Sequence, residues 1–289
     1  MNEVNVLKDT ILLYGKKIMK EFKEDRVTGL AAQQAYYYFL SLIPMLILLV
    51  SIVPYLNIEA KSALGFVDHV LPSESAQLIK DNILNIISNK SGGLLTFGII
   101  GSLWSASSGM DAFIKAMNIA YDEEETRSFI KVRLISIFLT IGLILSIVVA
   151  LILPIFGQVI IDMLQSFIQV SDRFEITIDL LRWGIAGIVI IGFLMTLYLV
   201  APNKRFPWKH VIPGAVFAAI LWLAGSLGFS FYVSNFGNYS TTYGSLGGVI
   251  VLLLWLFLTG LIFVLGGEIN AVYHRQKSQE VDAQKTISY

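Results

Sequence analysis

The sequence predicts an all-α polytopic membrane protein, a bundle of about six transmembrane helices with additional amphipathic interfacial helices. Of its 289 residues, 55% are hydrophobic and only 15% are charged, whereas soluble domains carry about 25% charged residues. Mean hydropathy is +0.70. The apolar residues form long uninterrupted blocks rather than the spaced pattern of an amphipathic core. Charge-free runs of roughly 20 residues are long enough to cross a bilayer as helices.

The apolar blocks define the predicted spans in chain order. No Asp, Glu, Lys or Arg occurs between His210 and Gly267, a length too great for one helix, and the turn-forming residues 237–244 divide it into two helices. Pro154 lies near the end of the third block, where a kink or break is expected. The predicted spans lie near residues 30–56, 92–110, 134–161, 183–203, 211–236 and 246–267.

The distribution of basic residues predicts the orientation. Most of the 21 Lys and Arg residues lie in the segments on the N-terminal side of the predicted membrane, and few lie in the segments on the other side. The side rich in Lys and Arg is normally cytoplasmic. We therefore predict that both termini are cytoplasmic, with an amphipathic arm (1–28), a six-helix transmembrane domain (29–274) and a cytoplasmic tail (275–289).

The N-terminal arm has the pattern of an amphipathic helix. Its apolar residues recur at helical spacing, and five lysines occupy positions between them. Such a helix either lies on an anionic membrane surface or packs on the cytoplasmic face of the protein itself. Both alternatives stay open at this point. The outer segment 60–90 shows a similar helical periodicity and is expected to cap the bundle.

The composition argues against several classes of chemistry. The chain has no cysteine, so disulfides, thiolate metal sites and thiol catalysis are excluded. Its three histidines, His69, His210 and His274, fall in separate polar segments, and we expect surface histidines rather than a shared metal site. A net charge of zero gives no overall field that would attract nucleic acid. We expect no cofactor and no metal.

Polar side chains within the spans are the candidate functional residues. Lipid cannot satisfy the hydrogen bonds of Gln33, Gln34 and Ser41 in the first span, so these side chains must face protein or a water-filled cavity. We predict a polar groove between the first, second, fifth and sixth spans. Its predicted lining residues are Gln33, Gln34, Ser41, Trp104, Ser107, Asp111, Lys115, Asn118, Asn203, Tyr243, Glu268 and Asn270.

Two of these features also have purely structural interpretations. Asp111 and Lys115 are four residues apart, so they either receive a headgroup or ion or form a solvated ion pair. Glu268 follows a Gly-Gly pair after the last span and is either an interfacial carboxylate or part of a proton- or lipid-coupled site. The sequence does not decide between these alternatives.

A serine-rich stretch at residues 104–109 raises the question of a serine hydrolase. The stretch lacks the G-x-S-x-G elbow, and the sequence places no histidine at membrane depth to act as a base. Gly101, Ser105 and Gly109 are spaced four residues apart, which places small residues on one helix face. That spacing predicts close packing against a neighbouring helix.

Short motifs along nearly the whole chain resemble those of the YihY/BrkB family. The resemblance implies a six-helix protein of the bacterial inner membrane that transports lipids or other anionic amphiphiles. Members were once labelled ribonuclease BN, a tRNA-processing nuclease, but this sequence shows neither a metal-ligand cluster nor a basic groove. The motifs are Ala35-Tyr36-Tyr37 with Ser41-Leu42-Ile43-Pro44, Leu103-Trp104-Ser105-Ala106-Ser107 with Asn118 and Tyr121, Tyr198 with Pro202-Asn203, Pro213-Gly214-Ala215, and Tyr243-Gly244-Ser245-Leu246-Gly247 with Trp255 and Gly266-Gly267-Glu268-Ile269-Asn270.

Three functional hypotheses follow from these observations. The leading one is a transporter or flippase-like protein whose partners are membrane lipids with anionic headgroups. The alternative is a structural or scaffolding membrane protein whose buried polar residues only join helices. A membrane-bound hydrolase or nuclease has the least support.

Overall fold

The computed structural model describes residues 3–52, 92–146, 149, 172–236, 244 and 246–287. These residues form α-helices and contain no β-strand. The helices are α1 (Glu3–Glu24), α2 (Val27–Ile52), α3 (Gly92–Ala120), α4 (Phe129–Ser146), α5 (Asp172–Val200), α6 (Ile212–Phe236) and α7 (Leu246–Ile287), with a 3₁₀ turn at Trp208–His210 before α6. The predicted segment 60–90, Pro154 and Tyr243 lie outside the described residues.

Three helical segments are long and apolar enough to cross a membrane: Phe129–Ser146, Trp208–Asn235 and Leu246–Gln279. Helix α5 adds a shorter apolar stretch, Gly184–Val200. Helices α2 and α3 contain 26 and 29 residues, lengths that also suffice to cross a bilayer. The prediction of an all-α membrane protein is confirmed, whereas the count of six spans and their orientation stay predictions.

Helix α2 packs along α3 and α7, and α7 also packs along α6. The α2–α3 contact depends on small residues in α3. A Cβ atom on Gly98 would lie 2.8 Å from the Cα atom of Leu48, one on Gly101 would lie 3.3 Å from the Cβ atom of Pro44, and one on Gly109 would overlap the ring of Tyr38. The interpretation of Gly101 and Gly109 as helix-packing residues is confirmed.

The core lies where α3, α5, α6 and α7 meet. Tyr198 of α5 is fully buried there, and its hydroxyl group donates a hydrogen bond to the Phe263 carbonyl at 2.8 Å. The outer surface is strongly apolar: Phe138 is 62% exposed, Ile188 71% and Leu227 74%. In water this exposure would be unfavourable, so these faces suit contact with lipid.

Helix α1 is joined to the bundle through a left-handed turn. Arg26 has a φ angle of 51°, which ends α1 and lets α2 begin at Val27. The end of α1 packs against α7, and Phe22 contacts the core. The arm therefore packs on the protein itself at this end, while its exposed apolar residues Leu12 and Met19 leave the second alternative, membrane contact, open.

Candidate functional site

The predicted groove residues fall into three groups rather than along one surface. Gln34, Glu268 and Asn270 are buried where α7 meets α2 or α6, whereas Asn118, in the last turn of α3, and Asn203, just after α5, meet at the ends of their helices. The remaining described residues lie on α2 or α3 and interact mainly with their own helix. Tyr243 lies outside the described residues.

The contact between α2 and α7, here called the α2–α7 seam, contains an apolar crevice of about 240 Å³. Next to the crevice, Gly260 brings the two helices together, because a Cβ atom there would lie only 3.0 Å from the Ala31 carbonyl oxygen and 3.5 Å from the Cβ atom of Gln34. Further along α7, Glu268 lies near Asp25. The crevice is lined by Ala32, Ala35, Ile250, Leu253, Leu254 and Phe257.

Gln34 is the central polar residue of the seam. Its side chain is fully buried, and neither its amide nitrogen nor its amide oxygen has a hydrogen-bond partner among the described residues. A buried polar group without a partner costs about 1–3 kcal/mol. The adjacent Gln33 is exposed because neighbouring residues point about 100° apart around a helix. Gln34 is therefore the glutamine that faces the seam.

At one end of the seam, Glu21, Asp25 and Glu268 form what we call the acidic triad. One carboxylate oxygen of each residue lies within 4.8 Å of the others. Glu268 is 0% exposed, and neither of its oxygens has a hydrogen-bond donor in the part of the chain that is described. The sequence gave no indication of this cluster, because its members are distant along the chain and only the α1–α2 turn brings Glu21 and Asp25 to α7.

The charges around the triad are unbalanced. The Arg275 guanidinium lies 3.1 Å from a Glu21 oxygen and 2.6 Å from an oxygen of Asp122. Partial burial and the charge of Glu21 raise the pKa of the Asp25 carboxyl, which lies close enough to Glu268 for the two carboxyl groups to share a proton. Two carboxylates share a hydrogen bond only when one is protonated. When all are ionised, the triad needs an additional positive charge.

Asn270 lies at the crossing of α6 and α7. Its side-chain oxygen accepts a hydrogen bond of 2.7 Å from the Gly214 backbone nitrogen, while its side-chain nitrogen is buried without a partner among the described residues. Because Gly214 lies in the first turn of α6, its N–H has no acceptor within the helix. The oxygen of the Asn270 amide therefore has a structural role at the helix crossing.

Asn118 and Asn203 join two loops, which we call the loop lock. The side-chain oxygen of Asn118 accepts a hydrogen bond from the Asn203 backbone nitrogen at 2.7 Å, and its nitrogen donates to Glu125 at 2.9 Å. The Asn203 side chain donates to the Glu124 carbonyl and to Thr126. All these groups have protein partners, so their arrangement favours a structural role for both asparagines.

The other predicted residues are already paired. Ser41 and Ser107 donate hydrogen bonds to the carbonyl groups of Tyr38 and Trp104, three residues earlier in their own helices. Asp111 and Lys115 form an ion pair of 2.7 Å, with the lysine side chain 57% exposed. An ion pair this exposed is worth about 0–1 kcal/mol. Its geometry matches the solvated-pair alternative.

Trp104 lies on the outer face of α3 and is 54% exposed. The Arg133 guanidinium of α4 lies 3.7 Å from the centre of its ring and donates a hydrogen bond of 2.7 Å to its carbonyl oxygen. This cation–π contact joins α3 to α4. No motif in the sequence indicated Arg133, because the contact depends on which helices are neighbours.

A second crevice, of about 290 Å³, lies among the helix ends beside the triad. Tyr121 and Phe206 stack there with ring centres 4.1 Å apart. His210 and His274, expected to be surface histidines, are only partly exposed and lie together, with their Nδ1 atoms 2.7 Å apart. The fold brings the 3₁₀ turn against α7. The crevice is lined by Tyr121, Lys204, Phe206, His274, Arg275, Ser278 and Gln279.

Comparison with known proteins identifies the family. The model of the virulence factor BrkB family matches residues 18–287. The chain belongs to the BrkB family. This result confirms the resemblance that the sequence motifs indicated, and it establishes the chain as an integral membrane protein.

Relatives of this BrkB-family protein carry names of two kinds. YfkH of Bacillus subtilis, named a ribonuclease-like protein, is 47% identical over 86% of this chain and 90% of its own length. UPF0761 membrane proteins of Photobacterium profundum and Vibrio atlanticus are 28% and 26% identical, over 98% and 95% of this chain and 87% and 86% of their own. No solved structure matches the chain significantly.

Proposed function

We propose that this BrkB-family protein is an inner-membrane transporter or flippase-like protein for an anionic lipid or another anionic amphiphile. The observation that supports this proposal is the α2–α7 seam, which contains an apolar crevice lined by Ala35 and, at the adjacent position of α2, the buried, unpartnered amide of Gln34. An amphiphile needs both environments at once. Its acyl chain fits the apolar crevice, and its polar linkage supplies the hydrogen bonds that Gln34 lacks.

The second crevice supports an anionic headgroup. Lys204 and Arg275 line it together with His274, and such groups bind phosphate through charge-assisted hydrogen bonds. Both cations also contact carboxylates, Lys204 with Glu123 and Arg275 with Glu21 and Asp122. A headgroup would therefore compete with these ion pairs, which is compatible with transient binding during transport.

Helix α1 supports a role at an anionic surface. Lys16, Lys17, Lys20 and Lys23 are all exposed beside the exposed Leu12 and Met19. Each basic residue near an anionic leaflet contributes roughly 1 kcal/mol. We infer that the exposed side of α1 contacts headgroups while Phe22 and Glu21 hold its other side against the bundle.

The transport proposal predicts that Gln34→Met slows lipid movement at least about tenfold, the factor that corresponds to one lost hydrogen bond of about 1.4 kcal/mol. The measurement uses the purified protein in vesicles containing fluorescent phosphatidylglycerol, with chemical quenching of the outer leaflet. Gln33→Met is the matched control, because it removes the neighbouring amide from an exposed position, and it should transport like the parent.

Two outcomes would contradict the proposal. If vesicles with folded parent protein move the lipid no faster than empty vesicles, transport of this lipid class is excluded and the scaffold alternative gains support. If both glutamine variants transport like the parent, the seam does not carry the substrate. Loss of folding in Gln34→Met, measured by thermal unfolding, would also favour a scaffolding role for the buried amide.

The proposed orientation predicts the positions of topology reporters. Reporters fused after His274 or inserted within residues 204–210 should read cytoplasmic, and a reporter within 237–245 should read external, because most basic residues lie on the first side. Alkaline phosphatase and a fluorescent protein report opposite sides and serve as mutual controls. An external reading after His274 would contradict the even number of spans.

A further inference from the structure

We propose that the acidic triad of Glu21, Asp25 and Glu268 binds a divalent cation of the oxygen-preferring class, such as Ca²⁺, Mn²⁺ or Mg²⁺. This site goes beyond the proposed transport and does not depend on it. The three ligands come from the last turn of α1, from the α1–α2 turn and from α7. A bound ion would join the amphipathic arm to the bundle.

The spacing of the oxygens fits one shared ion. Ca²⁺ binds oxygen ligands at about 2.3–2.6 Å, so two ligands on opposite sides of the ion lie about 4.6–5.2 Å apart. The triad oxygens lie within 4.8 Å of one another. The three oxygens are therefore close enough to contact one shared ion of this class, and the shorter ligand distances of Mg²⁺, about 2.0–2.1 Å, require the closest approach of the three side chains.

The burial of Glu268 is a second and independent indication of a ligand. Acidic residues also cluster at protein surfaces without binding ions, but there water solvates them. The Glu268 side chain is 0% exposed, and both of its oxygens lack a donor among the described residues. A buried carboxylate without a counter-charge is strongly unfavourable. A divalent cation would supply the missing charge and the missing ligand contacts together.

The nearby basic residue, Arg275, supplies only part of that charge, because it is shared among several carboxylates. Arg275 directs its guanidinium to Glu21 and Asp122, at 3.1 and 2.6 Å, and its Nη1 atom also lies 3.4 Å from the Ala120 carbonyl. The alternative for Glu268 is a proton shared with Asp25. A proton neutralises a single carboxylate, whereas a divalent ion neutralises two, and the experiment separates these cases.

Mn²⁺ binding to the full-length protein in detergent tests the proposal, with electron paramagnetic resonance measuring the free ion. The parent should show saturable binding that Ca²⁺ displaces. Glu268→Gln and Asp25→Asn should each weaken binding at least about tenfold, since even supporting residues of metal sites change affinity by about 10–100-fold. Glu24→Gln is the matched control, because Glu24 is adjacent to Asp25 but exposed and pairs with Lys20 at 3.6 Å. This variant should bind Mn²⁺ with an affinity within about twofold of that of the parent.

Thermal unfolding gives a second readout that does not depend on the paramagnetic probe. Ca²⁺ should raise the Tm of the parent and of Glu24→Gln, because a ligand that binds only the folded state stabilises it, and should leave the Tm of Glu268→Gln unchanged. In chelator, Glu268→Gln should be at least as stable as the parent, because it removes an unpaired buried charge. Absence of Mn²⁺ binding to the folded parent, or equal binding by all variants, would overturn the proposal and leave the shared proton.

Discussion

Replacing Gly214 with alanine should destabilise the protein by about 3 kcal/mol, at the top of the range for an overpacked core. The new Cβ atom would overlap the Gly266 carbonyl oxygen and lie 2.6 Å from the side-chain amide of Asn270. A backbone carbonyl cannot rotate away as a side chain can, so α6 and α7 must separate. The hydrogen bond of 2.7 Å from the Gly214 nitrogen to Asn270 would then be lost as well.

Gly228→Ala is the control for this prediction. Gly228 lies in the same helix, and a Cβ atom there would meet nothing within 4 Å among the described residues. Alanine is favoured over glycine within a helix by up to about 1 kcal/mol, so this variant should be as stable as the parent or slightly more stable. Thermal and denaturant unfolding in detergent would measure both. Equal stability of the two variants would show that the α6–α7 crossing is looser than the structure indicates.

The sequence predicted close packing on one face of α3, without its partner helix, but not this α6–α7 crossing. Gly101 and Gly109 could be recognised because their spacing with Ser105 marks one face of a single helix. The contact of Gly214 with Gly266 depends on two helices separated by many residues, and no periodicity within one helix reveals its partner. Apolar periodicity and run length are local properties, which explains why the fold class was predictable and the helix neighbours were not.

The candidate site shows the same division between local and distant information. Gln34 and Glu268 were predicted from their polarity within apolar segments, because that signal lies in the segment itself. Glu21 and Asp25 were missed, although they are four residues apart, because charged residues in an amphipathic arm are normally solvated. Only the left-handed turn at Arg26 brings them to α7. Local polarity therefore identifies a buried group but not its neighbours.

Asn118 and Asn203 were predicted to line the groove together, and the structure does bring them together, but in the loop lock. Asn118 lies in the last turn of α3 and Asn203 lies just after α5, and charged loops follow both helices. Their polarity alone therefore could not distinguish a ligand-binding site from a contact between loops. The sequence did not indicate that Arg127 lies between the acidic loop and the end of α5. This side chain is only 9% exposed and holds the acidic loop against the end of α5.

Replacing Arg127 with methionine should destabilise the protein by about 2 kcal/mol, since it removes the charge-assisted hydrogen bonds of a largely buried guanidinium to an exposed carboxylate and to a backbone carbonyl. The guanidinium donates two hydrogen bonds to Glu125, at 2.8 and 2.6 Å, and one to the Ala201 carbonyl at 2.8 Å. That carbonyl follows α5 directly, where cations stabilise the end of the helix. Arg127→Lys should recover little stability, because an ammonium group cannot form the same paired hydrogen bonds.

The control is Arg205→Met at an exposed position, which should change the free energy of unfolding by no more than about 0.5 kcal/mol. The pH dependence gives a second test. Hydrogen bonds from Arg127 lower the pKa of Glu125 from 4.5 to about 2, so the Glu125 contribution is complete above about pH 4.5 and disappears as the pH falls towards 2. The stability difference between the parent and Arg127→Met should therefore shrink over that interval in acid. A difference that is small at neutral pH, or that stays constant down to about pH 2, would show that the Arg127–Glu125 pair does not hold the loop lock together.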